Sequence, residues 1–183
     1  KLQNGAIGTV RYGGCWYNNL RPSIGTGKEV PVPDNLDYSL WQGPAPERPY
    51  LDNLVHYNWH WRWHWGGGEL ANNGIHALDV VRWGLGVDVP RTVSYVGGRY
   101  HYDDDQETPD TGVVTYDFGD VGCTWEGSSC HPRRGEKKPF AAFYGTQAEM
   151  HIVGAGYEIY DIQGKKVDSG SGSGGEQGHI ENF

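Results

Sequence analysis

A chain of 183 residues is long enough to bury one sizeable core, so a single domain is expected. Eight tryptophans and an aromatic content of 13% offset a hydrophobic fraction of only 37%. A net charge of −8 without a basic run argues against nucleic acid and anionic membrane surfaces as partners, and no apolar run is long enough to cross a bilayer.

Cys15, Cys123 and Cys130 are widely spaced and form neither a CxxC pair nor a disulfide framework. They lean towards a reducing, cytoplasmic compartment while leaving export open. The chain begins without Met and stops at His179-Ile180-Glu181-Asn182-Phe183, so it is expected to be a piece of a longer protein whose targeting segment, if any, lies elsewhere.

Taken in order, residues 6–17 predict a first strand with Ile7, Val10, Tyr12 and Cys15 as core contributors. Residues 18–49 are rich in Pro, Gly and Asn without sustained period. The apolar block Leu36–Pro44 is expected to tie this long irregular segment down. From Val55 to Trp65 the pattern alternates strictly. Trp59, Trp61, Trp63 and Trp65 are expected on one side, and Asn58, His60, Arg62 and His64 on the other, of an extended segment.

Residues 66–86 then read as one principal helix. Gly66, Gly67 and Gly68 let the chain turn into it, and Gly84 and Gly86 are stop signals. Leu70, Gly74, Ala77, Leu78, Val81 and Leu85 share an apolar face, while Asn72, His76, Asp79 and Trp83 form a second stripe. Short β-like runs follow at 91–102, 111–118, 122–130, 140–144, 149–153, 157–162 and 165–168. Gly119-Asp120, Gly145-Thr146 and Gln163-Gly164 are hairpin connectors, Asp103–Glu107 is an acidic turn and Ser169–Gly178 a flexible loop. The expected architecture is α+β: a large, open, mainly antiparallel sheet with one principal helix and long loops packed on one face.

The sharpest chemical pair is Asn72 with His76, neighbours four residues apart on a helix. An imidazole there can relay a proton to or from a substrate hydroxyl, or it can be held by Asp79 for structural reasons alone. His56, His60 and His64 spread over ~26 Å of an extended segment cannot share one ion, so no metal site is expected. The tryptophan row suits either core packing or, for one or two of its members, the stacking of sugar faces. Glu136-Lys137-Lys138-Pro139 reads as a solvated turn. The Gly/Ser run from Gly170 has neither a strand before it nor a helix after it, which fails the context for a dinucleotide loop.

In combination, Gly5-Ala6-Ile7-Gly8, Leu36–Pro44, Trp61–Gly68, Gly74-Ile75-His76-Ala77-Leu78-Asp79 and Tyr144–Glu149 resemble the C-terminal, substrate-side domain of the Gfo/Idh/MocA oxidoreductases. The resemblance covers nearly the whole chain. It implies a glyceraldehyde-3-phosphate dehydrogenase-like C-terminal sheet domain over residues 1–183, with the Rossmann domain that binds NAD or NADP, and its Glu-Lys-Pro lysine, absent from this chain. It implies a fragment inactive alone and a homo-oligomer formed through the open sheet face. The histidine of the family's Asp-x-x-x-His motif falls on His76, the catalytic candidate, and its aspartate on Asn72. An amide there orients a hydroxyl rather than acting as a base. The implied reaction is hydride transfer from a sugar or cyclitol, with His60, Arg62, His64, Trp16, Tyr17 and Arg21 lining the sugar pocket. The rival readings are redox-assisted glycoside cleavage on the same fold, or a cofactor-free carbohydrate-binding or assembly module.

Overall fold

The computed structural model describes residues 1–131, 137–172 and 175–181. Its eight strands are β1 (Val10–Asn18), β2 (Thr92–Gly98), β3 (Thr111–Asp117), β4 (Gly122–Ser128), β5 (Ala141–Gly145), β6 (Ala148–Val153), β7 (Gly156–Asp161) and β8 (Lys166–Ser171). They form one open sheet in the order β2-β3-β4-β1-β5-β6-β7-β8. Two meanders, β2-β3-β4 and β5-β6-β7-β8, are joined edge to edge by β1. Every neighbouring pair is antiparallel except β1 with β4, which run parallel with Cys15 opposite Trp125. Turns of two to four residues return β4 beside β3 and each of β6, β7 and β8 beside its predecessor, whereas β2 and β3 are joined by the longer segment 99–110.

The principal helix lies across the centre of this sheet. A π-helical turn, Leu70–Gly74, runs directly into α2 (Ile75–Leu85). The expected helix was continuous and regular. The difference arises where Gly74 sits wedged between Leu70 and the Trp125 indole, a place with no room for a side chain. Gly68, at φ +67°, makes the turn into the helix, and Gly86, at φ +70°, ends it by donating its N–H to Arg82 and Trp83 carbonyls. Gly84 is not a stop. It lets the helix press onto the Phe143 ring, which a methyl group there would strike.

The apolar face expected of the helix is the one that is buried. Ala77 and Val81 pack with Cys15, Val114, Cys123, Trp125 and Ala141, flanked by Leu70, Leu78 and Leu85. A second cluster of Ile7, Phe143, Met150 and Ile159 lies beneath Val80 and Leu85. Burying a side chain such as Val81 or Phe143 contributes about 1.5–3 kcal/mol each. Alternation along the strands leaves the other sheet face, including Trp16 and Tyr144, outside this core.

Three expectations are corrected. The segment 55–65 is not extended: residues Asn58–Trp61 form a 3-10 turn, and Trp65 and Gly66 bond back to the Arg62 carbonyl. Trp61 and Arg62 are therefore both buried although adjacent in sequence, while Trp63 faces solvent. Aromatic alternation mimicked a strand, but Arg62 is held from the side by Asn53 and Asp105, which bends the chain. The Gly/Ser run does have a strand before it and a helix after it, because β8 continues to Ser171 and the short α3 (Glu176–Glu181) follows. The long segment after β1 is tied down, as expected, but mostly by the acidic stretch and not only by α1 (Tyr38–Gln42), whose start is capped by Asp37. Glu136 and the last residues, 182–183, lie outside the described residues.

Candidate functional site

The site is best built from the start of the helix. Glu69, just ahead of the π turn, is 3% exposed and accepts from Arg21 Nε at 2.8 Å and from Asn73 Nδ2. Arg21 also donates to the hydroxyls of Tyr57 (2.9 Å) and Tyr17 (3.1 Å) and lies 4.9 Å from the Trp61 ring centroid. Burial opposes the Arg21 charge, but the hydrogen bond and attraction of Glu69 outweigh it and push its pKa up. One buried ion pair thus joins the end of β1, the 57–61 turn and the helix start.

Behind it runs a second layer of paired charges. Asp105 accepts from Arg62 (2.9 Å), Asn53 (3.0 Å) and the Gly27 amide (2.7 Å). Asp104 accepts from Arg99 (2.6 Å), Ser23 (2.7 Å) and the Ile24 amide (2.9 Å). Burial works against both carboxylates, yet these hydrogen bonds prevail and hold their pKa values below the usual range. Asp110 closes the layer, accepting from the Tyr100 and His101 amides. The acidic turn read from the sequence is therefore an internal clamp. Its signal lay in the run Asp103–Asp110 next to Arg99 and Arg62, and it went unused because side chains in a polar run are usually solvated.

Held by this frame, Asn72 and His76 face outward from the sheet. Asn72 is half-buried and His76 exposed, and among the described residues neither side chain has a hydrogen-bond partner. In a regular helix residues four apart are staggered by about 40°; a turn widened by one residue reduces that stagger and draws the two side chains into line. Asp79 and Trp83 continue the same exposed stripe.

The remaining predicted residues are not gathered at one place. Tyr17 and Arg21 meet beneath the helix start, whereas Trp16 lies on the opposite sheet face with Lys138 over its ring at 5.5 Å. Arg62 is spent on Asp105. His60 stacks on Trp59 at 3.8 Å and points Nδ1 at the Tyr57 carbonyl; His64 points Nε2 at the Pro46 carbonyl, 2.7 Å away. No group of three or more His, Cys, Asp or Glu among the described residues has metal-binding geometry.

The helix start also fails as a phosphate cradle. A Cβ at Gly66 would meet the His60 backbone at 2.6 Å, one at Gly67 Ala71 at 2.7 Å, and one at Gly68 Thr108 at 2.6 Å. The glycines there are filled by the protein itself, so a dinucleotide phosphate has no seat among them.

A family model described as the C-terminal alpha/beta domain of the Gfo/Idh/MocA oxidoreductase family matches residues 20–124. Among solved structures, a Thermotoga maritima protein named as an oxidoreductase aligns over 99% of this chain and 47% of its own, with TM-score 0.60 and 16% identity. An oxidoreductase from Agrobacterium radiobacter, solved with NAD+, L-tartaric acid and magnesium, aligns over 93% of this chain and 41% of its own, at TM-score 0.54 and 18% identity. An NAD-binding oxidoreductase from Klebsiella pneumoniae covers the same shares, at TM-score 0.56 and 16% identity. The chain spans less than half the length of each of these three structures, and at such identities the likeness is one of fold. Curated proteins give no match.

Proposed function

The chain belongs to the Gfo/Idh/MocA oxidoreductases as their C-terminal alpha/beta domain, and from that premise we propose that it is the substrate-side half of an NAD- or NADP-dependent enzyme acting on a sugar, sugar derivative or cyclitol. The observation that carries the reading is the pair Asn72 and His76, set outward and without a hydrogen-bond partner among the described residues, on a helix where Glu69 and Asn73 at its start are both engaged. A nicotinamide cofactor, bound by a companion domain, supplies the hydride acceptor. His76 takes the proton of the substrate hydroxyl at Nε2, the ring nitrogen farther from the helix, since imidazole exchanges protons near neutral pH. Asn72 orients that hydroxyl through its amide and carries no charge. With the cofactor held by the companion domain in this reading, the chain alone is expected to be inactive.

Two copies pair through the outer sheet face in this reading. Tyr12 lies opposite Tyr144 there, with ring centroids 6.4 Å apart, and Val96 lies opposite Val113; all four are exposed. Sedimentation of Val96→Glu as a monomer, against a dimeric parent, supports this contact; an unchanged mass refutes it.

The catalytic reading is tested in a protein that joins this chain to its dinucleotide-binding domain, by following nicotinamide reduction with a panel of sugars and cyclitols. His76→Ala is expected to lower turnover by about 10²–10⁴ with unfolding unaltered, because the side chain is exposed. Unchanged turnover sinks the role. Glycoside cleavage without accumulation of reduced nicotinamide would replace net oxidation by redox-assisted cleavage.

A further inference from the structure

The sheet ends in two edges, and they are built differently. β8, at one end, carries Lys166 and Asp168. Lys166 pairs with Glu158 at 3.0 Å and Asp168 with Lys1 at 2.6 Å, and the register of β7 with β8 shifts after Ile159. Charges and a bulge are devices that stop an edge from adding another strand. β2, at the other end, has neither. Its residues Thr92-Val93-Ser94-Tyr95-Val96-Gly97-Gly98 include no charge and no proline, and they pair with β3 in one unbroken register. Thr92, Val93, Tyr95 and Val96 are β-branched or aromatic and favour an extended chain, and the last three are exposed. Among the described residues no loop hydrogen-bonds to the backbone of 92–97.

Alternate N–H and C=O groups of β2 therefore point away from β3 as a free row, which a second strand satisfies. The chain itself offers two edges. A β8 partner brings Lys166 and Asp168 against an uncharged strand and leaves a fresh β2 edge exposed, so copies would add without end. A β2 partner meets the same neutral surface and closes on a two-fold axis.

The register follows from the pleat. Tyr95 lies opposite Val114 on the helix side of the sheet with Val93, whereas Thr92, Ser94 and Val96 lie on the outer side. Opposed residues in one sheet share a face, so the axis passes through a residue and not between two. Only an axis through Tyr95 pairs the whole strand: Thr92 with Gly98, Val93 with Gly97, Ser94 with Val96, and Tyr95 with its own copy. Just beyond, Arg91 comes opposite Arg99. Arg99 is already turned onto Asp104 at 2.6 Å and Asp110 at 3.5 Å, and the Arg91 guanidinium lies against Gly119.

We propose that β2 is a pairing edge that joins β2 of a second copy, antiparallel about a two-fold axis through Tyr95, so that the two sheets run on as one. Both α2 helices then lie on the same side. The contact rests on backbone hydrogen bonds along one strand and buries little apolar surface, so it is weaker than a contact between sheet faces. It depends neither on that contact nor on hydride transfer.

The test is sedimentation over a range of concentrations together with amide hydrogen exchange, for this chain and for the protein that joins it to a dinucleotide-binding domain. The mass is expected to double as concentration rises, whether the dilute species is a monomer or a face-paired dimer, and the β2 amides pointing away from β3 are expected to slow in step. Tyr95→Lys sets two like charges on the axis and is expected to weaken the doubling about tenfold or more, as is Tyr95→Glu. An equimolar mixture of the two, each with the parent's circular dichroism, should restore it. The exchange measurement on the parent needs no variant. Constant mass at every concentration, doubling without slowed β2 exchange, doubling that survives both single variants, or a mixture that fails to pair overturns the proposal. Pairing seen in the chain alone and lost in the joined protein gives the edge to the companion domain and overturns it as well.

Discussion

Removing Glu69 exposes how much the helix start depends on one buried ion pair. Glu69 is 3% exposed and Arg21 17%, with 2.8 Å between Nε and Oε2. Taking away one partner of such a pair strands the other charge and costs about 3–5 kcal/mol. Arg21 would keep the Tyr57 and Tyr17 hydroxyls and the Trp61 ring face, which argues for the lower end. Asn73 would lose its acceptor as well, worth about 1 kcal/mol. Glu69→Ala is thus expected to cost about 3–4 kcal/mol. With a urea dependence of about 2–3 kcal/mol per molar, the unfolding midpoint falls by roughly 1–2 M. Arg21→Met removes the opposing charge, so the double variant should recover about 1–3 kcal/mol relative to the sum of the singles. Urea unfolding followed by tryptophan fluorescence measures all four states. A Glu69→Ala cost below about 1 kcal/mol, or strict additivity, would show that the pair does not hold the helix start.

Gly84→Ala should destabilise by about 1–2 kcal/mol, because overpacking against Phe143 outweighs the helix-propensity gain of about 1 kcal/mol; a higher Tm in the variant contradicts the close approach. Asp104 and Asp105 have folded pKa values below their unfolded ones, so the stability they contribute is complete above about pH 4 and is lost as pH falls through the folded values. The double variant Asp104→Asn/Asp105→Asn should accordingly flatten the stability profile below pH 4, and a parallel profile would refute it. Burial pushes the thiols of Cys15 and Cys123 up to about 12 and about 11. Neither should react with a thiol reagent at pH 8 until urea unfolds the chain, whereas labelling of either in the native state would contradict the core described above.

Much of the fold was legible because hydrophobic period reports directly on what must be buried. The 3.6-residue stripe through Leu70, Ala77 and Val81 identified both the helix and its buried face, and Gly/Asp or Gly/Thr pairs marked the hairpins. The 55–65 segment misled for the same reason. Alternating tryptophans satisfy the period of a strand, and only the distant Asp105, through Arg62, bends them into a turn. Parallel pairing of β1 with β4 has no local signature either, since it joins residues more than a hundred positions apart. At the candidate site, the placement of Asn72 and His76 on one outward helix face could be read from spacing. The partners of Arg21, and the separation of Trp16 from Tyr17 across the sheet, are tertiary facts.

The parallel contact at the sheet centre also differs from the hairpins in how it closes. The hairpin β3-β4 and the run β5 to β8 close loops of two to four residues, and β2 joins β3 through the longer segment 99–110. Register between Tyr12 and Gly122, by contrast, requires the ends of a long intervening stretch to find each other, and the entropy of that closure is met only by burial beneath α2. β1 is thus the single strand that bridges the two wings of the sheet. Peeling the first eighteen residues away would strip the shared neighbour from β4 and β5 and leave two raw inner edges free to pair with strands of other chains.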